Sequence, residues 1–219
     1  MSVLVVIALL VGSCDKKSTE PTSEKPNIPV LVFSQPGFAS DSCGLGAYIL
    51  VLSGTTLASY TSYFAALPAT ESNGTWTWVL ADSGVTYTLT GKLESDGKYH
   101  WQVRMNGTVT GTTTTYSNFL YIEGTSAADG SSGNLTIYDE TNPSTSTIAA
   151  KITWSTPSAG TILIVLELYS SGQPDQQVTI NSTKTAGGTV TMAQWNGSAY
   201  GSTMFSAIWT SPDAPATCN

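Results

Sequence analysis

From Thr75 onward, apolar and polar residues alternate with a period of two. Trp76, Trp78 and Leu80 are separated by Thr77 and Val79. Val85, Tyr87 and Leu89 alternate with Thr86, Thr88 and Thr90, and Tyr99, Trp101, Val103 and Met105 with His100, Gln102, Arg104 and Asn106. Successive side chains of a strand point to opposite faces, so each segment predicts a strand with one buried and one wet face. Further strands are predicted over 116–123, 133–139, 148–155, 161–169, 177–184, 188–195 and 202–210. Between the strands, Asp82-Ser83-Gly84, Asp96-Gly97, Asn106-Gly107, Asp129-Gly130, Gly187-Gly188 and Asn196-Gly197 supply the residues that tolerate the positive φ of tight hairpins.

Residues 45–67 follow a different rhythm. Leu50, Leu57, Tyr60, Phe64 and Leu67 recur at helical spacing, and Pro68 is a natural stop. The spacing predicts a helix over at least 55–67, while Ala47 to Leu52 also admits a strand. About ten strands joined mostly by short turns form an antiparallel meander. So long a meander curls into a barrel or splits into two sheets, because twist accumulates and open edges invite aggregation. The expected fold is therefore all-β: a barrel or strongly curved sheet, with a sandwich as the alternative and a short helix before it. Thr161 to Tyr169 is apolar on both faces and should be central or covered on both sides, for example by the helix.

The first 29 residues belong to neither pattern. Val3 to Val11 is an unbroken apolar run, much shorter than the ~20 residues of a membrane-spanning helix but matching the core of an export signal. Gly12, Ser13 and Cys14 follow, and then a polar, proline-containing stretch from Asp15 to Pro26. Val11-Gly12-Ser13-Cys14 resembles the lipobox of bacterial lipoproteins. The resemblance implies a signal peptide over 1–13, cleavage before Cys14, acylation of Cys14 and a flexible tether over 14–29. The length that remains, 30–219, fits a single β-rich domain. One departure from the pattern is the absence of Lys or Arg before the apolar run. The stretch from Asn118 to Asp139 is similar to β-rich envelope lipoproteins of environmental bacteria, a resemblance that implies an address and no activity. The implied location is the cell envelope outside the cytoplasm, at the outer membrane, with the membrane as partner through the Cys14 lipid.

An exported chain meets an oxidising compartment, where leftover thiols pair. With Cys14 acylated, Cys43 and Cys218 remain, and they either form a disulfide across the domain or stay free. The body carries the whole net charge of −7, with twelve acids against Lys92, Lys98, Arg104, Lys151 and Lys184. Such a surface neutralises few phosphates, which argues against nucleic acid as a partner.

Candidate chemistry is sparse. His100, the single histidine, lies on the polar face of its strand, and no Gly-x-Ser-x-Gly elbow accompanies it. Glu123 and Glu167 each interrupt an apolar strand and could act as paired carboxylates if held ~5–9 Å apart; the alternative is that each points outward. The glycine-rich loop from Asp129 to Gly133 lacks calcium-loop ligand spacing and reads as a hairpin turn. No catalytic residue, metal site or cofactor is expected. Trp76, Trp78 and Trp101 share one face, where they either pack in the core or line a ligand cavity. Two functional readings follow. One is a non-catalytic, lipid-anchored binder of a small hydrophobic molecule or glycan. The other is a structural or protein-interaction lipoprotein without a cavity.

Overall fold

The computed structural model describes residues 25, 26, 28, 34–38, 40–157, 160–183 and 185–218, and of residues 53–62 the backbone alone. The segment 1–13 read as a signal peptide, Cys14 and residues 15–24 lie outside the described residues. Pro26 and Ile28 are buried, so packed chain begins before residue 30, where the sequence puts the domain boundary.

Among the described residues one helix, α1 (Ser42–Ala65), precedes twelve strands: β1 (Ala69–Ser72), β2 (Thr75–Asp82), β3 (Val85–Leu93), β4 (Lys98–Thr108), β5 (Thr115–Ala127), β6 (Ser132–Tyr138), β7 (Ile148–Ser155), β8 (Thr161–Ser170), β9 (Gln173–Thr183), β10 (Gly188–Trp195), β11 (Tyr200–Trp209) and β12 (Thr217–Cys218). All twelve form one antiparallel meander in chain order, each strand pairing only with its sequence neighbours. The single sheet excludes the sandwich. β1 and β12 are not paired, so the sheet is not a closed barrel. Laid flat, twelve strands would span roughly 50 Å. α1, about 36 Å long, bridges the two ends of the sheet: its first turns pack against β10, β11 and β12 and its last against β2. Bridged in this way and twisted as long meanders are, the single sheet is a curved one.

The helix is longer than the sequence predicts. It starts at Asp41, whose carboxylate accepts the Gly44 amide at 2.9 Å as an N-cap, so Ala47 to Leu52 is helical rather than extended. Its 24 residues include no charged side chain. Ala47 and Val51, one turn apart, are fully buried, and at Gly46 a Cβ would come within 3.2 Å of the Phe205 ring. Packing against the end strands therefore sustains this Ser/Thr/Gly-rich helix more than propensity does. Cys43 is disulfide-bonded to Cys218, joining the first turn of α1 to β12.

The concave face carries the core, including Trp78, Met105, Ile152, Ile164, Leu166, Ile180 and Val190. Three tryptophans there lie opposite a glycine of the next strand: Trp101 opposite Gly91, Trp154 opposite Gly133 and Trp209 opposite Gly188. A Cβ on any of these glycines would sit 2.3–2.7 Å from the indole, so each ring covers a backbone that only glycine leaves open. Gly107 departs from expectation. It lies at a bulge inside β4 instead of in a turn, and a Cβ there would meet the Gly84 carbonyl at 2.3 Å. β8 is central, with Ile162, Ile164 and Leu166 buried and Leu163 and Val165 half-buried; α1 packs on the end strands instead of covering it.

Candidate functional site

Trp76, Trp78 and Trp101 do come together. Ring centroids lie 6.5 Å apart for Trp76 and Trp78 and 6.1 Å for Trp78 and Trp101, with Tyr99 adding a fourth ring 5.6 Å from Trp101. Trp78 and Trp101 are buried and Trp76 is half-buried, and the three pack on one another as part of the core. The Trp101 indole donates to Ser126 Oγ at 2.9 Å, while the Trp78 indole N–H is buried with no acceptor.

The apolar cleft lies further along the same face. Its volume is about 500 Å³, and it opens between the C-terminal turn of α1 and the inner ends of β2 to β5. Tyr63 and Phe64 form the helical wall, Leu80 and Ala81 one side, Tyr87 and Val103 the floor, and Tyr121 and Ile122 the other side. Adjacent residues of a regular strand point to opposite faces, yet Tyr121 and Ile122 both line the cleft and both are buried. A β-bulge explains this: Val103 pairs with Ile122 and Arg104 with Leu120, leaving Tyr121 as the extra residue. Two carboxylates mark the rim, Asp82 at the end of β2 and Glu140 in the β6–β7 loop. Burial pushes the Glu140 carboxyl above its ordinary value, and the neighbouring Asp139 adds to the shift. The arrangement is an apolar hollow with tyrosine rings and an anionic rim, suited to holding an apolar body whose polar end is neutral or cationic.

A second hollow, about 520 Å³ and mainly polar, lies on the opposite face of the sheet. Thr75, Lys92, His100, Thr125 and Asn134 are successive cross-strand neighbours there, as are Thr90, Gln102, Glu123 and Thr136. His100 is exposed and bonds Asp96 at 3.1 Å, which holds the Asp96 carboxyl below its ordinary value. Lys92 pairs with Glu94 at 2.9 Å.

Glu123 and Glu167 are not brought together. Glu123 is opposite Thr136, Thr136 opposite Lys151, and Lys151 opposite Glu167. Three strand spacings separate the two backbones by about 14 Å, and the two carboxylates share no hydrogen-bond partner. Each carboxylate faces outward into hydrogen bonds, Glu123 with the Tyr138 hydroxyl and Glu167 with Tyr169 and Gln177. Tyr138 is thereby kept protonated up to about 12. Asp129 accepts the Ser131 amide in a plain hairpin turn. Among the described residues no cluster of His, Cys, Asp and Glu is placed to hold a metal.

The residues that sequence reasoning missed are those of the cleft, above all Tyr121 and Glu140. One signal was available: Phe119-Leu120-Tyr121-Ile122 breaks the alternation of its strand with four large apolar residues in a row. No protein-family model, curated protein or solved structure matches the chain.

Proposed function

We propose that this chain is a lipid-anchored envelope protein that binds a small hydrophobic molecule without catalysis, and that the cleft between α1 and β2–β5 is its binding site. The observation that carries the reading is the cleft itself, an apolar hollow of about 500 Å³ beside the packed core. Its lining of aromatic and aliphatic side chains with two carboxylates at the rim has the composition of a ligand pocket. The lipobox-like Val11-Gly12-Ser13-Cys14 supports the anchor.

Native mass spectrometry of protein gently extracted from its own membranes tests both parts. A mass corresponding to acylated Cys14, with an additional small-molecule mass that disappears in Ala81→Trp, is the expected result. Ala81 is exposed at the cleft, so a bulky ring there closes the mouth without disturbing the core. An unliganded wild type under the same extraction would remove the binding reading, and a chain beginning at Met1 would remove the anchor. The polar hollow favours a second reading, in which the threonine-rich outer face contacts a glycan or another envelope protein. Threonine, glutamine and asparagine side chains at cross-strand spacing offer alternating donors and acceptors to such a surface.

A further inference from the structure

Ile49, Leu52 and Tyr63 are among the most exposed large apolar residues of the protein, at 50%, 41% and 63% of their full exposure. They are three and eleven residues apart. At 3.6 residues per turn that places them along one side of α1, the side away from the buried Ala47 and Val51. No charged side chain interrupts α1 over its whole length, although the body carries the protein's entire excess of acids. Ile49, Leu52 and Tyr63 thus expose apolar side chains on one side of a helix that carries no charge to keep that side in water. Phe38, 68% exposed, extends the patch at the start of α1 by packing edge-on against Tyr48, with ring centroids 5.7 Å apart.

Two observations say what covers this face. The first is continuity with the cleft, since Tyr63 belongs both to the exposed side of α1 and to the cleft wall. The second is where the described chain begins. The Lys25 ammonium sits 5.9 Å from the centroid of the Trp78 ring, and Leu80, two residues further along β2, lines the cleft. Only residues 15–24 separate Lys25 from Cys14. A chain of that length reaches at most about 40 Å when fully extended and on the order of 20 Å when relaxed. A lipid on Cys14 would hold the cleft end of the body, and α1 with it, close to the bilayer. No helix among the described residues is long and apolar enough to cross a membrane, so the contact is with its surface.

We propose that the exposed side of α1 seats in the membrane surface, and that the cleft takes a single-chain amphiphile with a neutral or cationic polar end directly out of the bilayer. The inference rests on the reading of the cleft as a binding site. Tyr63 stands at the junction, where an acyl chain leaving the lipid would pass between the helix and β2. The carboxylates of Asp82 and Glu140 at the rim meet the polar end and disfavour an anionic one.

The test uses protein purified from its own membranes and a pyrene-labelled alkylamine as probe, with wild type, Leu52→Glu and Leu93→Glu compared. Leu93, 47% exposed at the far end of β3, is the control for a new surface charge. Loading of the cleft from detergent solution, read by native mass spectrometry, needs no bilayer and should be the same in all three. Transfer of the probe between dioleoylphosphatidylcholine vesicles should slow on the order of tenfold in Leu52→Glu, the effect of removing about half of one leucine's apolar contact, and stay unchanged in Leu93→Glu. Equal transfer by all three, with loading intact, would overturn the membrane seating and leave the cleft reading standing. Failure of wild type to load in detergent would overturn both. Slowing in both variants alike would show a general effect of surface charge and refute the role of α1.

Discussion

The Cys43–Cys218 disulfide should contribute a large share of the stability of this fold, and the size of that share can be worked out. The bond spans 175 residues with its Cα atoms 5.7 Å apart. Closing a loop of that length in the unfolded chain is worth about 5 kcal/mol in the chain-entropy relation, comparable to the lower end of the whole stability of a domain. Other contacts link the same regions. The Gly37 amide donates to the Ala214 carbonyl at 2.8 Å, the Asp213 amide to Gln35 at 3.0 Å and the Trp209 indole to Ser34 Oγ at 2.9 Å. These exist only in the folded state and leave the unfolded ensemble unrestrained. For a domain of this size each kcal/mol moves the midpoint by about 2–4 °C, so losing the bond should lower Tm by about 10–20 °C. The assay is thermal unfolding followed by near-ultraviolet circular dichroism on oxidised wild type, reduced wild type and the Cys43→Ala/Cys218→Ala double variant. Reduced wild type and the double variant should coincide well below the oxidised protein. A double variant melting within about 2 °C of oxidised wild type would refute the reasoning, because the contacts around Ser34 and Gly37 would then suffice to hold the ends.

Gly91→Ala should destabilise by about 1–3 kcal/mol in urea titration, since its Cβ would lie 2.4 Å from the Trp101 ring; a neutral result would mean that Trp101 moves freely. Ser126→Ala should cost about 1–3 kcal/mol by leaving the buried Trp101 indole N–H without its acceptor, measured the same way. Glu140 titrates above its ordinary 4.5 in the folded protein, so its protonated form is favoured by folding. The stability this supplies is full below about 4.5 and is lost as pH rises through the raised value. Glu140→Gln should therefore flatten that part of the pH profile of the urea midpoint and be at least as stable as wild type at neutral pH; a variant less stable there would show that the carboxylate is stabilised by a partner instead.

Period-two alternation made most of the sheet legible, because a strand with one buried face writes its geometry directly into residue order. β7 and β10 coincide with the segments read from the sequence at 148–155 and 188–195. β1 and β12 escaped notice for a physical reason: they have four and two residues, lie almost entirely exposed and carry no apolar period. The early part of α1 was obscured because the positions that pack closely are small, with Gly46 and Ala47 giving little hydrophobic signal where close approach to β10–β12 is what matters. Gly107 looked like a turn because Asn-Gly is a turn dipeptide, and only its pairing partner across β4 and β5 shows the bulge. The tryptophans illustrate the limit most clearly. Sharing a face can be read from spacing, but whether that face is packed or hollow depends on what stands opposite, and the glycines facing Trp101, Trp154 and Trp209 come from neighbouring strands. The cleft was illegible for the same reason, since it depends on a bulge at Tyr121 and on where α1 ends.

The placement of the disulfide also has a mechanical consequence. If Cys14 holds the protein to a membrane, drag on the body or a pull on its carboxyl end is transmitted through the amino-terminal segment. From Lys25 that tension runs to Cys43, crosses to Cys218 and reaches the last residue without passing through any of β1 to β11. The sheet hangs outside the covalent line of force as a closed loop, so stretching the protein end to end would straighten its outer segments and load the strands only through the hydrogen bonds of Ser34. Once the bond is reduced, the same force is applied across the full length of the meander, where antiparallel pairs joined only to their sequence neighbours can open one at a time from the edge.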